Sequence, residues 1–175
     1  IGPGDDDFLL EQAEAQPDRN WLGIEYSRKR VRRYVRRIER RLGAPGNLRL
    51  VWRPAADVVR RFLTPARVSR YHIYFPDPWP KKRHHKRRIV TPGFVDDVAR
   101  LLTDDGLFHI ATDWENYAVQ IEETMAAAAA FNRCDDASMA GEPLAFRAPT
   151  KFEQRGRRLG HSVYDFYFSV SAVAP

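Results

Sequence analysis

A predicted strand, a turn stiffened by proline and a basic run follow one another around residues 74–88, which read Tyr74-Phe75-Pro76-Asp77-Pro78-Trp79-Pro80-Lys81-Lys82-Arg83-His84-His85-Lys86-Arg87-Arg88. The stretch from Val68 to Phe75 predicts the strand, and the prolines stiffen its exit because each fixes φ. In an open α/β sheet, ligands bind at the carboxyl ends of the strands. We therefore expect Asp77 and Trp79 to face a binding site, and the basic run after them to follow a phosphate backbone.

On both sides of this segment, apolar runs alternate with helical periodicity. The pattern predicts further strands over 21–25, 48–52, 106–112 and 163–173, and helices over 27–42, 93–103 and 114–130. The resulting order, β-α-β-α-β-α-β-α closed by a strand, is typical of a mostly parallel sheet with helices on both faces. We expect one doubly wound α/β domain that spans residues 1–175.

Charge is strongly segregated along the chain. Its 175 residues carry a formal charge of +6, but residues 26–100 hold 22 basic and five acidic residues. Such a band of +17 favours a polyanionic partner, since Lys and Arg side chains that contact phosphates release condensed counterions. A solvated basic face without a partner is the alternative interpretation.

The sequence also gives no sign of a disulfide-bonded or membrane-spanning protein. The single cysteine, Cys134, cannot form an internal disulfide, and no apolar run approaches the ~18 residues of a membrane span. We therefore expect a cytoplasmic protein without a membrane partner, either a monomer or a homodimer. We expect no metal, because His84 and His85 have no cysteine or acidic cluster nearby and suit phosphate or backbone contacts better.

A Gly-x-Gly turn opens the chain at Gly2 and Gly4, and Glu25 closes the next predicted strand. This spacing suits a ligand that contains a ribose, because the glycines admit close backbone approach and an acid about 20 residues on accepts the ribose hydroxyls. The three acids that follow the turn disfavour a pyrophosphate, whereas a sulfonium cation such as that of S-adenosylmethionine is not repelled. No strand is predicted before this turn, so we expect the first strand of the sheet to lie upstream of Ile1.

With these features in view, the chain resembles the bacterial tRNA (guanine-N7-)-methyltransferases. The most specific match is the run from Phe75 to Arg88. Individually modest matches extend from the first residue nearly to the last: Ile1-Gly2-x-Gly4, Phe8-Leu9-Leu10, Asn20, Gly23-Ile24-Glu25, Asn47-Leu48-Arg49, Thr112-Asp113-Trp114-Glu115-x-Tyr117, Thr150-Lys151-Phe152-Glu153-x-Arg155-Gly156 and Gly160-His161.

The resemblance implies a Rossmann-like class I methyltransferase fold with an antiparallel C-terminal strand. It also implies transfer of a methyl group from S-adenosylmethionine to N7 of guanine 46 in the variable loop of tRNA. The cofactor would then be bound by Gly2, Gly4, Glu25 and Asp77, and Asp77 would also be the catalytic residue between cofactor and guanine. Substrate contacts would come from Lys81, Asp113, Thr150, Lys151, Phe152 and Glu153. Contacts to the RNA would come from Arg83, His84, His85, Lys86, Arg87 and Arg88.

The chemistry of methyl transfer to guanine N7 indicates which role Asp77 would have. N7 of guanine carries a lone pair and no proton, so its methylation needs no general base. We therefore interpret Asp77 as a positioning carboxylate that accepts hydrogen bonds from guanine N1–H and the exocyclic amine, and offsets the cation formed on methylation. Because N7 of the target guanine lies inside a folded RNA, the base is expected to leave its stack. It would then stack on Trp79 or Tyr117.

A catalytically impaired RNA-binding module that retains the fold is the alternative hypothesis. Asp6 stands where the family usually has a third glycine, and Pro54 stands where it usually has an acid that meets adenine. The carboxylates of Asp77, Asp113 and Glu153 argue against this alternative, because a protein that only binds an anion gains nothing from acids beside the RNA.

Overall fold

Two β-sheets organise the computed structural model, which describes residues 1–135, 150, 153, 154, 158, 160 and 162–170. In the first sheet, β1 (Trp21–Glu25) pairs in parallel with β2 (Leu48–Trp52). The second contains β3 (Val68–Tyr74), β4 (Leu102–Thr112), β5 (Phe131–Cys134) and β6 (Tyr164–Val170), in the order β3-β4-β6-β5. Strands β3 and β4 are parallel, whereas β6 is antiparallel to both β4 and β5.

Helices connect and cover these strands. They are α1 (Phe8–Ala15), α2 (Arg28–Leu42), α3 (Ala55–Arg61), α4 (Pro92–Leu101) and α5 (Glu115–Ala126), with a 3-10 helix over Lys82–Arg87. Helix α4 begins where the Thr91 hydroxyl accepts a hydrogen bond from the backbone N–H of Phe94 at 3.4 Å, with Pro92 as the first helical residue. Among the described residues, every helix is too short or too polar to span a lipid bilayer.

The predicted α/β class is confirmed, with a parallel pairing in each sheet and an antiparallel β6. Strands β1 and β2 have the predicted bounds, β3 ends one residue early, and β4 begins four residues before the predicted Gly106. The predicted helix over 114–130 ends at Ala126, and the chain then forms β5, which the sequence pattern did not indicate. Helix α1 is also absent from the prediction. Residues 171–173 of the predicted last strand lie outside the described residues.

The larger core lies between the four-stranded sheet and helices α3, α4 and α5. Val59, Phe94, Val98, Phe108 and Ile121 are among its fully or almost fully buried members. Burial of this apolar surface contributes roughly 25 cal/mol per Å² removed from water. It therefore fixes β3 and β4 as a rigid base for the loops at their carboxyl ends.

A second core joins α1 and α2 to the two-stranded sheet. Its buried residues include Leu9, Leu10, Trp21, Tyr34 and Leu48. The close approach of α1 to β1 favours a glycine at position 23, because a Cβ there would lie 2.6 Å from Cδ2 of Leu9 and the leucine side chain would have to shift. This core attaches the N-terminal segment to β1.

A cavity of about 590 Å³ lies between β1 and β3, which are the edge strands of their sheets. No strand of the described residues pairs with the facing edge of either one. The backbone nitrogen of Ile1 donates to the His72 carbonyl at 2.6 Å, and that of Gly2 donates to the Ile24 carbonyl at 2.7 Å. The segment Ile1-Gly2 therefore bridges the two sheets at this cavity.

Candidate functional site

Three acidic residues lie at or just beyond the carboxyl ends of strands. Glu25 is the last residue of β1, Asp113 follows β4 directly, and Asp77 lies three residues beyond β3. Asp77 lines the cavity together with Gly2, Gly4 and Thr150. The structure thus brings four of the predicted site residues to one cavity, while Glu25, Lys81 and Asp113 are not among its lining residues.

The Gly-x-Gly turn folds over the end of β1 and is held there by Glu25. Gly2 and Gly4 have φ values of +62° and +57°, in the left-handed region that glycine adopts without a steric cost. The buried carboxylate of Glu25 accepts hydrogen bonds from the backbone N–H of Gly4 at 3.3 Å and of Ser27 at 2.7 Å. A carboxylate has about four acceptor sites, so the two bonds leave capacity for a ligand.

The three acids after this turn are engaged within the protein. Asp5 forms an ion pair with Arg33 at 2.7 Å, and Asp7 forms one with Arg37. Asp6, which lines the cavity, accepts a hydrogen bond from the backbone N–H of Phe8 at 3.0 Å. Two of the three charges are therefore offset by α2, whereas the Asp6 carboxylate accepts a backbone N–H at the start of α1.

The loop that carries Asp77 is strained on both sides of that residue. Phe75 has a φ of +48° and Trp79 a φ of +46°, which are uncommon for aromatic residues. Such conformations cost about 1–3 kcal/mol each and persist only where the surroundings impose them. The Phe75 N–H donates to the Ala111 carbonyl of β4 at 2.8 Å, which secures the start of the loop. Asp77 itself is exposed.

Arg88 secures the other end of the loop. Its Nε donates to the Pro78 carbonyl at 2.8 Å, and its two terminal nitrogens donate to Gln120 Oε1 at 2.7 Å and Asn116 Oδ1 at 2.9 Å. The guanidinium also lies over the ring of Tyr117, at 4.7 Å from the centroid. Burial lowers the pKa of Arg88 from its ordinary value.

The expectation that Arg88 contacts RNA is therefore wrong for this structure. Only 2% of the residue is exposed, because its donors are directed at Pro78 and α5 rather than at solvent. Tyr117 beneath it is fully buried and cannot stack on an extruded base as expected. Burial raises the pKa of Tyr117, and the nearby charge of Asp77 acts in the same direction. Arg88 and Tyr117 thus form the support of the Asp77 loop.

The rest of the basic run forms the 3-10 helix and presents its cations outward. Lys81, Lys82, Arg83, Lys86 and Arg87 are exposed, whereas His84 and His85 are half-buried. The Trp79 ring packs edge-on to His84 at 6.0 Å and carries the Arg87 guanidinium at 4.9 Å from its centroid. Trp79 is not among the lining residues of the cavity, and its stacking on a base stays a prediction.

The later predicted residues are only partly described. Thr150 and Glu153 are both buried, and the Glu153 N–H donates to the Thr150 hydroxyl at 3.1 Å. The Thr112 hydroxyl accepts a hydrogen bond from the backbone N–H of Trp114 at 3.3 Å. Trp114 is the residue that directly precedes α5. Lys151 and Phe152 lie outside the described residues, as do Arg155, Gly156 and His161.

One polar cluster near the cavity is absent from the predictions. The Tyr74 hydroxyl lies 2.8 Å from Nδ1 of His72 and 2.9 Å from Nδ1 of His109, and Nε2 of His109 lies 2.8 Å from Asp165 Oδ1. Nε2 of His72 is buried without a partner among the described residues. Burial, reinforced by the neighbouring His109, lowers the pKa of His72 well below its usual value. Polar side chains at alternate positions of β3 were the signal available in the sequence.

Comparison with known proteins gives a consistent picture. A family model described as "Putative methyltransferase" matches residues 1–166. The chain is 41% identical over 173 residues to the tRNA (guanine-N(7)-)-methyltransferase of Nitrosococcus oceani, which covers 98% of this chain and 70% of that protein. The protein of the same name from Bordetella pertussis is 45% identical over 168 residues, covering 96% of this chain and 65% of the relative. The chain thus spans about two thirds of the length of these relatives.

Solved structures share the fold. A 16S rRNA (adenine(1408)-N(1))-methyltransferase from Catenulisporales acidiphilia, determined with its cosubstrate SAM, has a TM-score of 0.62 at 18% identity and covers 99% of this chain and 85% of its own. The 16S rRNA methyltransferase KamB has a TM-score of 0.61 at 17% identity, covering 98% and 86%. At this level of identity the similarity extends to the architecture alone.

Proposed function

The chain belongs to the family of tRNA (guanine-N7-)-methyltransferases, and from this membership we propose that it transfers a methyl group from S-adenosylmethionine to N7 of guanine 46 in the tRNA variable loop. The observation that carries the proposal is the position of Asp77. It lies on a strained loop fixed at both ends and lines the same cavity as the Gly-x-Gly turn. A tRNA substrate would place the protein in the cytoplasm.

The residues present fit S-adenosylmethionine at the end of β1. Glycines with left-handed φ leave room for a ligand beside the turn, and Glu25 retains acceptor capacity for ribose hydroxyls. Asp6, which follows the turn, and Asp77, which follows β3, add negative charge near the Gly-x-Gly turn, which suits a sulfonium and an ammonium group. When bound, the cofactor would supply an electrophilic methyl group. Relatives usually have an acid that meets the adenine of the cofactor at the position of Pro54. In this chain Pro54 directly precedes the first turn of α3.

Asp77 would orient the guanine. Its exposed carboxylate can accept two hydrogen bonds, which matches the adjacent N1–H and amine donors of guanine. A base held in this way presents N7 without any proton transfer, so the loop must supply orientation and charge rather than a general base. The negative charge of Asp77 would offset the positive charge that the base acquires on methylation.

The exposed cations of the 3-10 helix would hold the RNA near this loop. Lys82, Arg83, Lys86 and Arg87 lie within ten residues of Asp77 and are exposed. Cations at such a site bind phosphates without regard to sequence, so they would position the tRNA while Asp77 selects the base. This division of roles favours an enzyme over a module that only binds RNA.

Methyl transfer to tRNA transcripts tests the proposal. We expect incorporation of one labelled methyl group into a transcript with guanine 46, recovered as 7-methylguanosine, and none into the same transcript with adenine at that position. Equal labelling of both transcripts, or a methylated nucleoside other than 7-methylguanosine, would overturn the proposal. Calorimetry with S-adenosylmethionine distinguishes the proposed enzyme from the alternative, a module that only binds RNA, because such a module gives no heat of cofactor binding.

A further inference from the structure

Seven of the nine basic residues of α2 fall into two groups with different surroundings. Arg33, Arg37 and Arg41 are four residues apart and therefore share one side of the helix, which we call the inner stripe. Each forms an ion pair with the N-terminal segment: Arg33 with Asp5 at 2.7 Å, Arg37 with Asp7, and Arg41 with Glu14 at 2.6 Å. The inner stripe thus fastens α2 to α1 and to the acidic turn before it.

A second set, which we call the outer stripe, has no such partners. It consists of Lys29, Arg32, Arg36 and Arg40, all exposed. At 3.6 residues per turn these positions fall on one side of α2, opposite the buried Tyr34. None of the four makes an ion pair or a hydrogen bond through its side chain with another residue in the part of the chain that the structure describes. The one carboxylate of the helix, Glu39, does not neutralise them at ion-pair distance.

The outer stripe is unfavourable for the isolated chain. Like charges four residues apart destabilise a helix, and Arg32, Arg36 and Arg40 form two such pairs. In the inner stripe, by contrast, each arginine that fastens α2 to the N-terminal segment is neutralised by an acidic residue of that segment. Charges left uncompensated along three turns of one helix are complementary to a polyanion.

The position of α2 relates the outer stripe to the candidate site. The helix begins three residues after Glu25, so Lys29 lies at the carboxyl end of β1. From Lys29 to Arg40 the helix rises about 16 Å, at 1.5 Å per residue. The outer stripe therefore extends over a length that spans several phosphates of an RNA strand.

We propose that the outer stripe of α2 binds the phosphate backbone of tRNA, as a contact surface separate from the 3-10 helix beside Asp77. The inference rests on the proposed function in one respect, the choice of tRNA as the polyanion. Contacts of this kind carry no sequence information, so they would strengthen binding of the tRNA body without affecting which base is methylated.

Two variants of equal charge test the inference in the full chain. The outer variant is Arg32→Gln/Arg36→Gln/Arg40→Gln, and the inner variant is Arg33→Gln/Arg37→Gln/Arg41→Gln. Binding of a tRNA transcript is measured by fluorescence anisotropy over a range of salt concentrations, without S-adenosylmethionine. We expect the outer variant to bind at least 10-fold more weakly, and its slope of log K against log[salt] to be smaller in magnitude by about 2–3, because each phosphate contact contributes about 0.7–0.9.

Melting temperatures separate binding from stability. We expect that of the outer variant to be unchanged or raised, because repulsion is relieved, and that of the inner variant to fall. Should the inner variant unfold, Arg32→Gln/Arg36→Gln is compared with Arg60→Gln/Arg61→Gln, two exposed arginines of α3, at equal charge.

Equal loss of affinity in the outer variant and its control would overturn the inference, since net charge alone would then explain the effect. Unchanged affinity in the outer variant, or no tRNA binding by the unaltered chain, would overturn it as well. A chain that binds tRNA through the outer stripe but transfers no methyl group would leave the inference standing and refute the proposed function.

Discussion

Replacing Arg88 by lysine tests how the Asp77 loop is held in place. Lysine keeps the positive charge but loses the planar fork that reaches Pro78, Asn116 and Gln120 together. An ammonium group in this pocket can satisfy one of these acceptors well. The substitution therefore separates the geometry of the guanidinium from its charge.

The expected magnitude follows from the bonds that are lost. Each hydrogen bond to a charged group contributes about 1.5–3 kcal/mol net, so the loss of two reduces the free energy of unfolding by about 3–4 kcal/mol at the lower end of this range. For a chain of this size that corresponds to a fall in melting temperature of about 6–16 °C. Release of the Pro78 carbonyl frees a loop whose strained φ values at Phe75 and Trp79 require support. A displacement of about 1 Å of a positioning group can reduce a rate up to about 100-fold.

Arg87→Lys is the matched control, because Arg87 is adjacent but exposed over Trp79. Both variants are assayed for melting temperature, tRNA affinity and kcat of methyl transfer. Arg88→Lys is expected to lower kcat by about 10- to 100-fold with tRNA affinity within about twofold, and Arg87→Lys is expected to retain kcat. The reasoning is refuted if Arg88→Lys keeps its melting temperature and kcat but binds tRNA more weakly, as an arginine that contacts phosphate would.

Three further substitutions test the fold and the site. Gly23→Ala places a Cβ 2.6 Å from Leu9 and 2.7 Å from Leu50. Because overpacking of a core costs about 1–3 kcal/mol, we expect denaturant titrations to show a free energy of unfolding lower by about 1–2 kcal/mol. His72 is protonated more readily in the unfolded chain because burial lowers its pKa in the folded protein. Stability should therefore fall from pH 7 to pH 5 by up to about 1.4 kcal/mol per pH unit below about 6.5, and thermal melts of His72→Gln should show a weaker dependence. Glu25→Gln is expected to lower the affinity for S-adenosylmethionine about 10- to 100-fold by calorimetry, as hydrogen bonds to a carboxylate contribute about 1.5–3 kcal/mol, and an unchanged affinity would exclude Glu25 from the cofactor site.

The sequence was sufficient for the elements whose own residues determine them. Strands β1 and β2 are short apolar runs between turn residues, and the apolar positions of α2 repeat at helical spacing, so their predicted bounds are close to those observed. Strand β5 instead depended on contacts with distant residues. The alanines after Met125 favour helix, but Phe131 is buried in the larger core and pairs with Val170 of β6, so the chain becomes β5 there.

The candidate site shows the same distinction. The position of Asp77 just beyond the carboxyl end of β3 could be predicted, because it depends only on the strand and the proline-stiffened turn that follows it. The sequence could not show which cation of the basic run is turned inward, since the acceptors of Arg88 on α5 are 28 to 32 residues away. Nor could it show which arginines of α2 are neutralised, because their acidic partners lie on α1 and the turn before it.

The most direct test of the account is single-turnover methyl transfer by Asp77→Asn with bound tRNA. We expect tRNA affinity within about twofold of that of the unaltered chain and a transfer rate about 100- to 1,000-fold lower, the loss expected when a group that stabilises developing charge is removed. A rate close to that of the unaltered chain would contradict the central claim that the Asp77 carboxylate orients guanine for methylation at N7.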